Sequence, residues 1–138
     1  MIKIQRENFN IETEIESIRL KNLSLGAVST FIGYVRDTNN NETVQSIDLE
    51  VYKEMAYESL KKICQKAKEN WDIIDTLIIH RYGNLKANEK IVLVATFSMH
   101  RKDSFESCNY IMNYLKKETP FWKKEHYGKN FKWLYNSK

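Results

Sequence analysis

The sequence predicts an α+β fold in which helices cover a mixed or antiparallel sheet. Three segments have the apolar spacing of amphipathic helices, and four others have the alternation or the β-branched composition of strands. These segments do not alternate regularly, as they would around a parallel sheet. Hydrophobic residues make up 42% of the 138 residues, which is typical of a globular chain. Because this length is typical of one domain, we expect residues 1–138 to form a single domain.

The first half of the chain is predicted to form one helix and two strands. Isoleucines recur at helical spacing between Ile11 and Ile18, with charged residues between them. Residues 27–35 are rich in β-branched and aromatic side chains, and in residues 46–52 apolar side chains alternate with acidic ones. A polar, turn-forming segment at residues 37–43 separates these two strands. We therefore expect the two strands to pair as a β-hairpin.

The second half is predicted to form two helices and two further strands. Residues 60–71 have the most regular helical pattern in the chain. Strands are expected at residues 73–81 and 90–100, joined by a loop, and a His-Arg pair stands at the end of each. A D-x-x-E capping pattern that begins at Asp103 predicts the start of the third helix, and Pro120 marks its end.

The sequence lacks the signatures of several classes of protein. No apolar run approaches the roughly 20 residues that span a bilayer, and the first residues do not resemble a secretory signal, so we expect a cytoplasmic protein. Cys64 and Cys108 have no metal-ligand spacing and are expected to be buried, reduced thiols. Glycine-rich phosphate loops and metal-binding motifs are also absent, so these patterns point to neither a bound nucleotide nor a metal.

The formal net charge of +4 is concentrated near the C-terminus. Residues 99–138 hold nine Lys and Arg against four acidic residues, whereas residues 1–98 hold thirteen against fourteen. A basic surface of this kind attracts an anionic substrate or partner. Charge alone does not distinguish such a site from an ordinary solvated basic face.

Cations and histidines at strand ends are the first candidates for a functional site. Arg36 follows the strand at residues 27–35, and its planar guanidinium suits phosphate or carboxylate. His100 and Arg101 end the most apolar strand, where a histidine can move a proton and an arginine can hold an anion. His80 and Arg81 have an equivalent local context, and nothing in these patterns ranks one pair above the other. Each of these residues is also compatible with an ordinary structural or surface role.

Two lysines near Pro120 are further candidates. Lysine acts as a nucleophile or as an acid or base when burial or neighbouring positive charge lowers its pKa, and the segment around Lys116 and Lys123 is rich in cations. Solvated lysines at a helix C-terminus are the ordinary alternative. Phe121 and Trp122 fit either core packing or a stacking surface.

Several short motifs stand in order along most of the chain. They are G-Y-V-R at 33–36, L-E-V-Y at 49–52, I-H-R-Y-G at 79–83, S-M-H-R at 98–101, and Y-L-K at 114–116 followed by P-F-W-K-K-E at 120–125. In this combination and spacing, the sequence resembles the catalytic subunits of molybdopterin synthase. Ser104, where alanine is common in that family, is a mild departure.

The resemblance implies a fold, an activity and partners. The fold would be of the α/β-hammerhead type, and the chain would be a homodimer within a heterotetramer. Its partner would be a small ubiquitin-like sulfur carrier whose C-terminal Gly-Gly bears a thiocarboxylate. Sulfur from two such tails would pass to cyclic pyranopterin monophosphate and form the dithiolene of molybdopterin. The resemblance implies no cofactor, metal, nucleic acid or membrane.

The resemblance also implies a set of site residues. The expected catalytic residues are His100, Lys116 and Lys123, which would also contact the substrate. The remaining expected substrate-binding residues are Tyr34, Val35, Arg36, Arg101, Lys124 and Glu125. Arg36 and Arg101 are suited to the substrate phosphate, so we expect them to converge in one pocket. Lys116 would activate the thiocarboxylate or accept its acyl group, and His100 would move a proton as the phosphate ring opens.

Two other functions remain open at this point. One is a nucleic-acid-binding module that uses the basic C-terminal segment and its aromatic side chains for stacking. Those aromatic residues are Phe121, Trp122, Tyr127, Phe131 and Trp133. The other is a scaffold subunit whose basic face docks an acidic partner.

Overall fold

Two four-stranded sheets and three helices make up most of what the computed structural model describes, which is residues 1–39, 41–118, 120–127 and 130–134. The helices are α1 (Ile11–Arg19), α2 (Lys53–Asn70) and α3 (Arg101–Glu118). The strands are β1 (Ile2–Gln5), β2 (Ala27–Tyr34), β3 (Thr38–Asn39), β4 (Glu42–Thr43), β5 (Ser46–Val51), β6 (Ile73–Arg81), β7 (Gly83–Lys86), β8 (Lys90–Ser98), β9 (Phe121–Tyr127) and β10 (Asn130–Leu134). None of the helices in these ranges is long and apolar enough to cross a membrane.

The first sheet has the strand order β1-β6-β8-β2 and forms the centre of the molecule. β1 runs parallel to β6, and the other neighbours are antiparallel. Helices α2 and α3 cover one face, where they pack on side chains such as Ile78 and Val94. Helix α1 covers the other face, where Ile18 packs with Leu77 and Phe97. Because β6 and β8 are buried on both faces, they form continuous apolar runs in the sequence.

The second sheet has the strand order β10-β9-β5-β7 and is antiparallel throughout. Its inner face contributes Ile47, Leu49 and Leu85 to a third core cluster, together with Val35 and Val44. The acidic residues that alternate with these positions in β5 lie on the outer face. The alternation in the sequence therefore marks correctly which face of β5 is buried.

The predicted hairpin between the strands at residues 27–35 and 46–52 is wrong. β2 pairs with β8 in the first sheet, whereas β5 pairs with β7 and β9 in the second. The polar segment between them forms a separate two-stranded sheet of β3 and β4. Alternation predicts that a strand has one exposed face, but it carries no information about which strand lies beside it.

The α+β class, the three helices and the four predicted strands are confirmed, with shifted ends. Helix α2 begins at Lys53, seven residues before the apolar pattern becomes regular, and α3 begins at Arg101. Asp103 therefore lies in the first turn of α3 and is not its N-cap. The expected loop between β6 and β8 contains β7. The prediction also missed β1, β9 and β10, since these strands are short or rich in charge.

Candidate active site

Lys123 lies in β9, on the inner face of the second sheet. It faces Leu49 across the β5–β9 ladder, and residues directly opposite in such a pair share one face. The inner face is the one that carries the third core cluster, so the Lys123 side chain is partly removed from water. This burial lowers the pKa of Lys123, the charge of Arg36 lowers it further, and the charge of Glu125 raises it. A lysine in this setting is a better acid, base or nucleophile than one on an open surface.

The end of β2 determines the position of Arg36. The strand ends at Tyr34, which is half exposed, and Val35 is then buried in the third core cluster. The backbone of Val35 is fixed by two hydrogen bonds: its N–H donates to Glu89 O at 2.9 Å, and its carbonyl accepts from Asn88 N at 2.7 Å. Arg36 is thus exposed on a rigid support, close enough for its charge to act on Lys123.

Glu125 is a buried carboxylate two residues beyond Lys123. It lies on the same inner face of β9 and is 4% exposed. Its Oε1 atom accepts a hydrogen bond from Asn39 Nδ2 at 2.7 Å and another from Tyr127 Oη. The sequence marks Tyr127 only as a possible stacking group for nucleic acid, and it does not mark Asn39 as a site residue. Asn39 lies in a polar segment that predicts only a turn, and no local pattern connects it with β9.

Lys124 lies on the opposite face of β9 from Lys123. It is paired with Asp48, whose carboxylate is bonded to His126 Nε2 at 2.6 Å and to Asn84 Nδ2 at 2.8 Å. These two bonds and the charges of His126 and Lys124 lower the pKa of Asp48. The structure therefore does not bring Lys124 together with Lys123, although the two are neighbours in the sequence.

Helix α3 places Lys116 and Arg101 at opposite ends. The helix runs antiparallel to β8, because Ser104 O accepts from Thr96 Oγ1 at 2.6 Å, while Cys108 contacts Val94 further along the helix. Lys116, which is exposed in the last turn, is consequently near the start of β8. Arg36, which follows the last residue of β2, lies at the same end of the first sheet, because Tyr34 pairs with Lys90.

His100 and Arg101 lie at the other end of β8. In the β2–β8 ladder, Tyr34 pairs with Lys90 and Ala27 pairs with Ser98. Seven residues of strand, or about 24 Å, separate these two pairs. Arg36 and Arg101 therefore do not converge within one chain, and the expected shared pocket stays a prediction for residues of two chains.

Hydroxyl groups support the turn that carries His100 and Arg101. Ser98 Oγ donates to His100 O at 2.5 Å, and Ser104 Oγ donates to Arg101 O at 2.9 Å. The Ser104 hydroxyl also lies 2.8 Å from that of Ser29 in the buried interior. Ser104 thus bonds both the turn and β2. The His100 and Arg101 side chains are exposed above this support.

The structure distinguishes the two His-Arg pairs, which the sequence did not. His80 is buried, and its ring stacks on Phe121 with centroids 3.7 Å apart. Burial lowers the pKa of His80 to about 4. Arg81 is also buried, and its guanidinium donates to the backbone oxygens of Arg6 and Lys90 at 3.0 and 2.9 Å. His80 and Arg81 therefore have structural roles, because both are occupied inside the protein.

Phe121, Trp122 and the two cysteines have packing roles. Phe121 stacks on His80, and Trp122 meets Tyr52 edge-on with centroids 5.1 Å apart. These contacts disfavour the use of either ring as a stacking platform for nucleic acid. Burial raises the pKa of both cysteine thiols. Within the described ranges, no three His, Cys, Asp or Glu side chains are grouped so that they could hold a metal ion.

Phe131 and Trp133 also belong to the nucleic-acid interpretation. The side chains of Phe131 and Trp133 lie outside the described residues.

Comparison with known proteins supports the resemblance found in the motifs. The family model described as MoaE protein matches residues 4–118. The molybdopterin synthase catalytic subunit of Ralstonia nicotianae is 43% identical over 133 residues, which are 96% of this chain and 76% of that protein.

Solved structures agree with this relationship. The molybdopterin biosynthesis MoaE protein of Burkholderia ambifaria is 40% identical with a TM-score of 0.84, over 97% of this chain and 88% of that one. Molybdopterin synthase from Staphylococcus aureus is 33% identical with a TM-score of 0.89, over 96% of each chain. The family model covers well over half of the chain, and the relatives cover nearly all of it. The chain therefore belongs to the MoaE family, the catalytic subunits of molybdopterin synthase, an enzyme of molybdenum cofactor biosynthesis.

Proposed function

We propose that this chain is a sulfurtransferase that converts cyclic pyranopterin monophosphate to molybdopterin in the cytoplasm. The sulfur donor is the C-terminal thiocarboxylate of a small ubiquitin-like partner. The observation that carries this proposal is the partly buried Lys123, whose pKa is lowered by its burial and by Arg36, in a chain of the MoaE family. A half-buried cationic site suits two anionic reactants, a phosphate and a thiocarboxylate.

The proposed chemistry exchanges sulfur for oxygen at the tail of the partner. Each transfer forms a carbon–sulfur bond to the pterin side chain, where a carbon–oxygen bond breaks and its oxygen leaves as water or stays on the opened phosphate. The bond between sulfur and the acyl carbon of the tail then breaks. That acyl carbon takes an oxygen from water and leaves as an ordinary carboxylate. Lys116 or Lys123 activates the thiocarboxylate or holds its acyl group on the way, and His100 moves the proton required when the cyclic phosphate opens.

The arrangement of the cations favours a site that is completed by a second copy of the chain. Arg36 and Lys116 lie at one end of the first sheet, and Lys123 of the second sheet is close enough to Arg36 for the two charges to interact. His100 and Arg101 lie at the other end of the first sheet. In a homodimer with two-fold symmetry, the end of one protomer that carries His100 and Arg101 meets the end of its partner that carries Arg36. Each such meeting forms one site. One sulfur carrier at each site then makes a heterotetramer.

Reconstitution from purified components tests the proposed function. The chain is mixed with cyclic pyranopterin monophosphate and a thiocarboxylated Gly-Gly carrier, and molybdopterin is measured by its fluorescent oxidation product. We expect product to form with the thiocarboxylated carrier and not with the same carrier ending in a plain carboxylate. If both mixtures lack molybdopterin while the carrier binds the chain, the chain is not a sulfurtransferase but a docking subunit.

A further inference from the structure

Two side chains hold the carboxylate of Glu125 in the protein interior. Asn39 Nδ2 donates to Glu125 Oε1 at 2.7 Å, and Tyr127 Oη donates to the same oxygen. Asn39 Nδ2 also lies 3.4 Å from Tyr127 Oη, so the three groups form one cluster. A carboxylate that is almost fully buried needs such donors, because burial of an unpaired charge is strongly unfavourable.

Asn39 ties the segment that follows Arg36 to the strand that carries Lys123. It lies in β3, three residues beyond Arg36, and β3 pairs with a strand of only two residues. A ladder of this length has little stability of its own. The bond from Asn39 to Glu125 joins this segment to β9, across 86 positions of sequence. Arg36 and Lys123 are thereby linked through one buried carboxylate.

The same carboxylate acts directly on Lys123. Its negative charge raises the pKa of Lys123 and so opposes the effects of burial and of Arg36. The bond to Glu125 raises the pKa of Tyr127, so its phenol keeps its proton and remains a donor. Glu125 thus favours the protonated form of Lys123 while Tyr127 and Asn39 hold the carboxylate in place.

We propose that Asn39 and Tyr127 are positioning residues for the sulfur transfer: through Glu125, they hold the Arg36 segment and Lys123 in the arrangement that binds the substrate phosphate. Glu125 then serves as an internal anchor and does not contact the substrate itself, because it is buried and already accepts two hydrogen bonds. This role presupposes the sulfurtransferase activity proposed above.

Asn39→Ala tests this role, and Asn84→Ala is its matched control. Asn84 Nδ2 donates to Asp48 Oδ1 at 2.8 Å, a bond of the same kind on the outer face of the same sheet. The first measurement is backbone hydrogen exchange over residues 37–44. The second is KM for the pterin and kcat, in the complex with the thiocarboxylated carrier.

We expect Asn39→Ala to speed the exchange of residues 37–44 by about tenfold or more, as for the loss of a charge-assisted hydrogen bond. KM for the pterin should rise about tenfold while kcat changes less than about threefold, because the phosphate-binding arrangement is loosened and the chemical groups remain. Asn84→Ala should change none of these quantities. Tyr127→Phe, which keeps the ring and removes the second donor, should act in the same direction as Asn39→Ala.

Three results would overturn the role. Unchanged exchange in Asn39→Ala would show that the segment is held by other contacts. Faster exchange with an unchanged KM, in both Asn39→Ala and Tyr127→Phe, would show an anchor without a part in substrate binding. A wild-type chain that makes no molybdopterin would overturn the proposed function and, with it, this role. The exchange measurement is independent of that result: if Asn39 anchors residues 37–44, they still exchange faster in Asn39→Ala than in Asn84→Ala.

Discussion

Two inactive variants should restore activity when they are combined in one dimer. Arg36 and Arg101 lie beyond opposite ends of the β2–β8 ladder, where Tyr34 pairs with Lys90 and Ala27 pairs with Ser98. At about 3.4 Å per residue, the seven intervening residues separate these ends by about 24 Å. This is too far for two arginines of one chain to hold the same phosphate. If both bind it, they must come from different protomers.

The assay mixes Arg36→Ala and Arg101→Ala chains, each inactive alone, and lets their dimers exchange. Random exchange gives about half mixed dimers, and each mixed dimer contains one site in which both arginines are intact. About a quarter of all sites should then be active, so molybdopterin formation should return to about a quarter of the wild-type rate.

A second mixture serves as the control for this assay. Arg36→Ala combined with Lys123→Ala should stay inactive, because both residues come from the same end of one protomer and no mixed site is intact. If mixed dimers of Arg36→Ala and Arg101→Ala, purified through two different tags, are no more active than their parents, the reasoning from the strand register is refuted.

Three further predictions concern single side chains. Lys116→Ala should abolish turnover and leave stability nearly unchanged, since Lys116 is exposed at the end of α3. Arg36→Ala should raise the pKa of Lys123, measured by NMR of labelled lysine, because the guanidinium charge lowers it. His80 has a folded pKa of about 4 against 6.5 for the free group, so only the unfolded chain binds the proton between these pH values. Its contribution to the free energy of unfolding is therefore present above pH 6.5 and decreases by about 3 kcal/mol as the pH falls to 4.

Each of these predictions has its own control. Lys117→Ala removes a neighbouring exposed lysine, and equal activity in the two lysine variants would exclude Lys116 from the mechanism. Glu125→Gln should move the pKa of Lys123 in the opposite direction to Arg36→Ala, and a shift of the same sign would contradict the electrostatic account. His80→Phe preserves an aromatic contact with Phe121, and it should remove most of the pH dependence that wild type shows between pH 4 and 6.5. An unchanged dependence would show that other groups cause it.

The sequence by itself determined the three helices, four of the strands and the family. Periodicity marked α1, α2 and α3, and continuous apolar runs marked β6 and β8, because burial on one face or on both is recorded directly in the order of side chains. The motifs identified the family, since they combine residue types at spacings that packing alone does not require. Chain order and local pattern were sufficient for both conclusions.

The tertiary structure decided which of these residues act together. Lys123 and Lys124 are the same residue type at adjacent positions, yet the pleat of β9 places one beside Glu125 and the other beside Asp48. The pairs His80-Arg81 and His100-Arg101 look alike in sequence, and only packing shows that the first is buried.

The reason for this division is that strand pairing joins residues far apart in the chain. The bond between Asn39 and Glu125 spans 86 positions, and the separation of Arg36 from Arg101 follows from the antiparallel register of β2 and β8. Local patterns report how much of each side chain is buried, but the neighbours of a strand depend on the packing of the whole chain. The distances within the site are therefore set by long-range pairing, which a single sequence does not record.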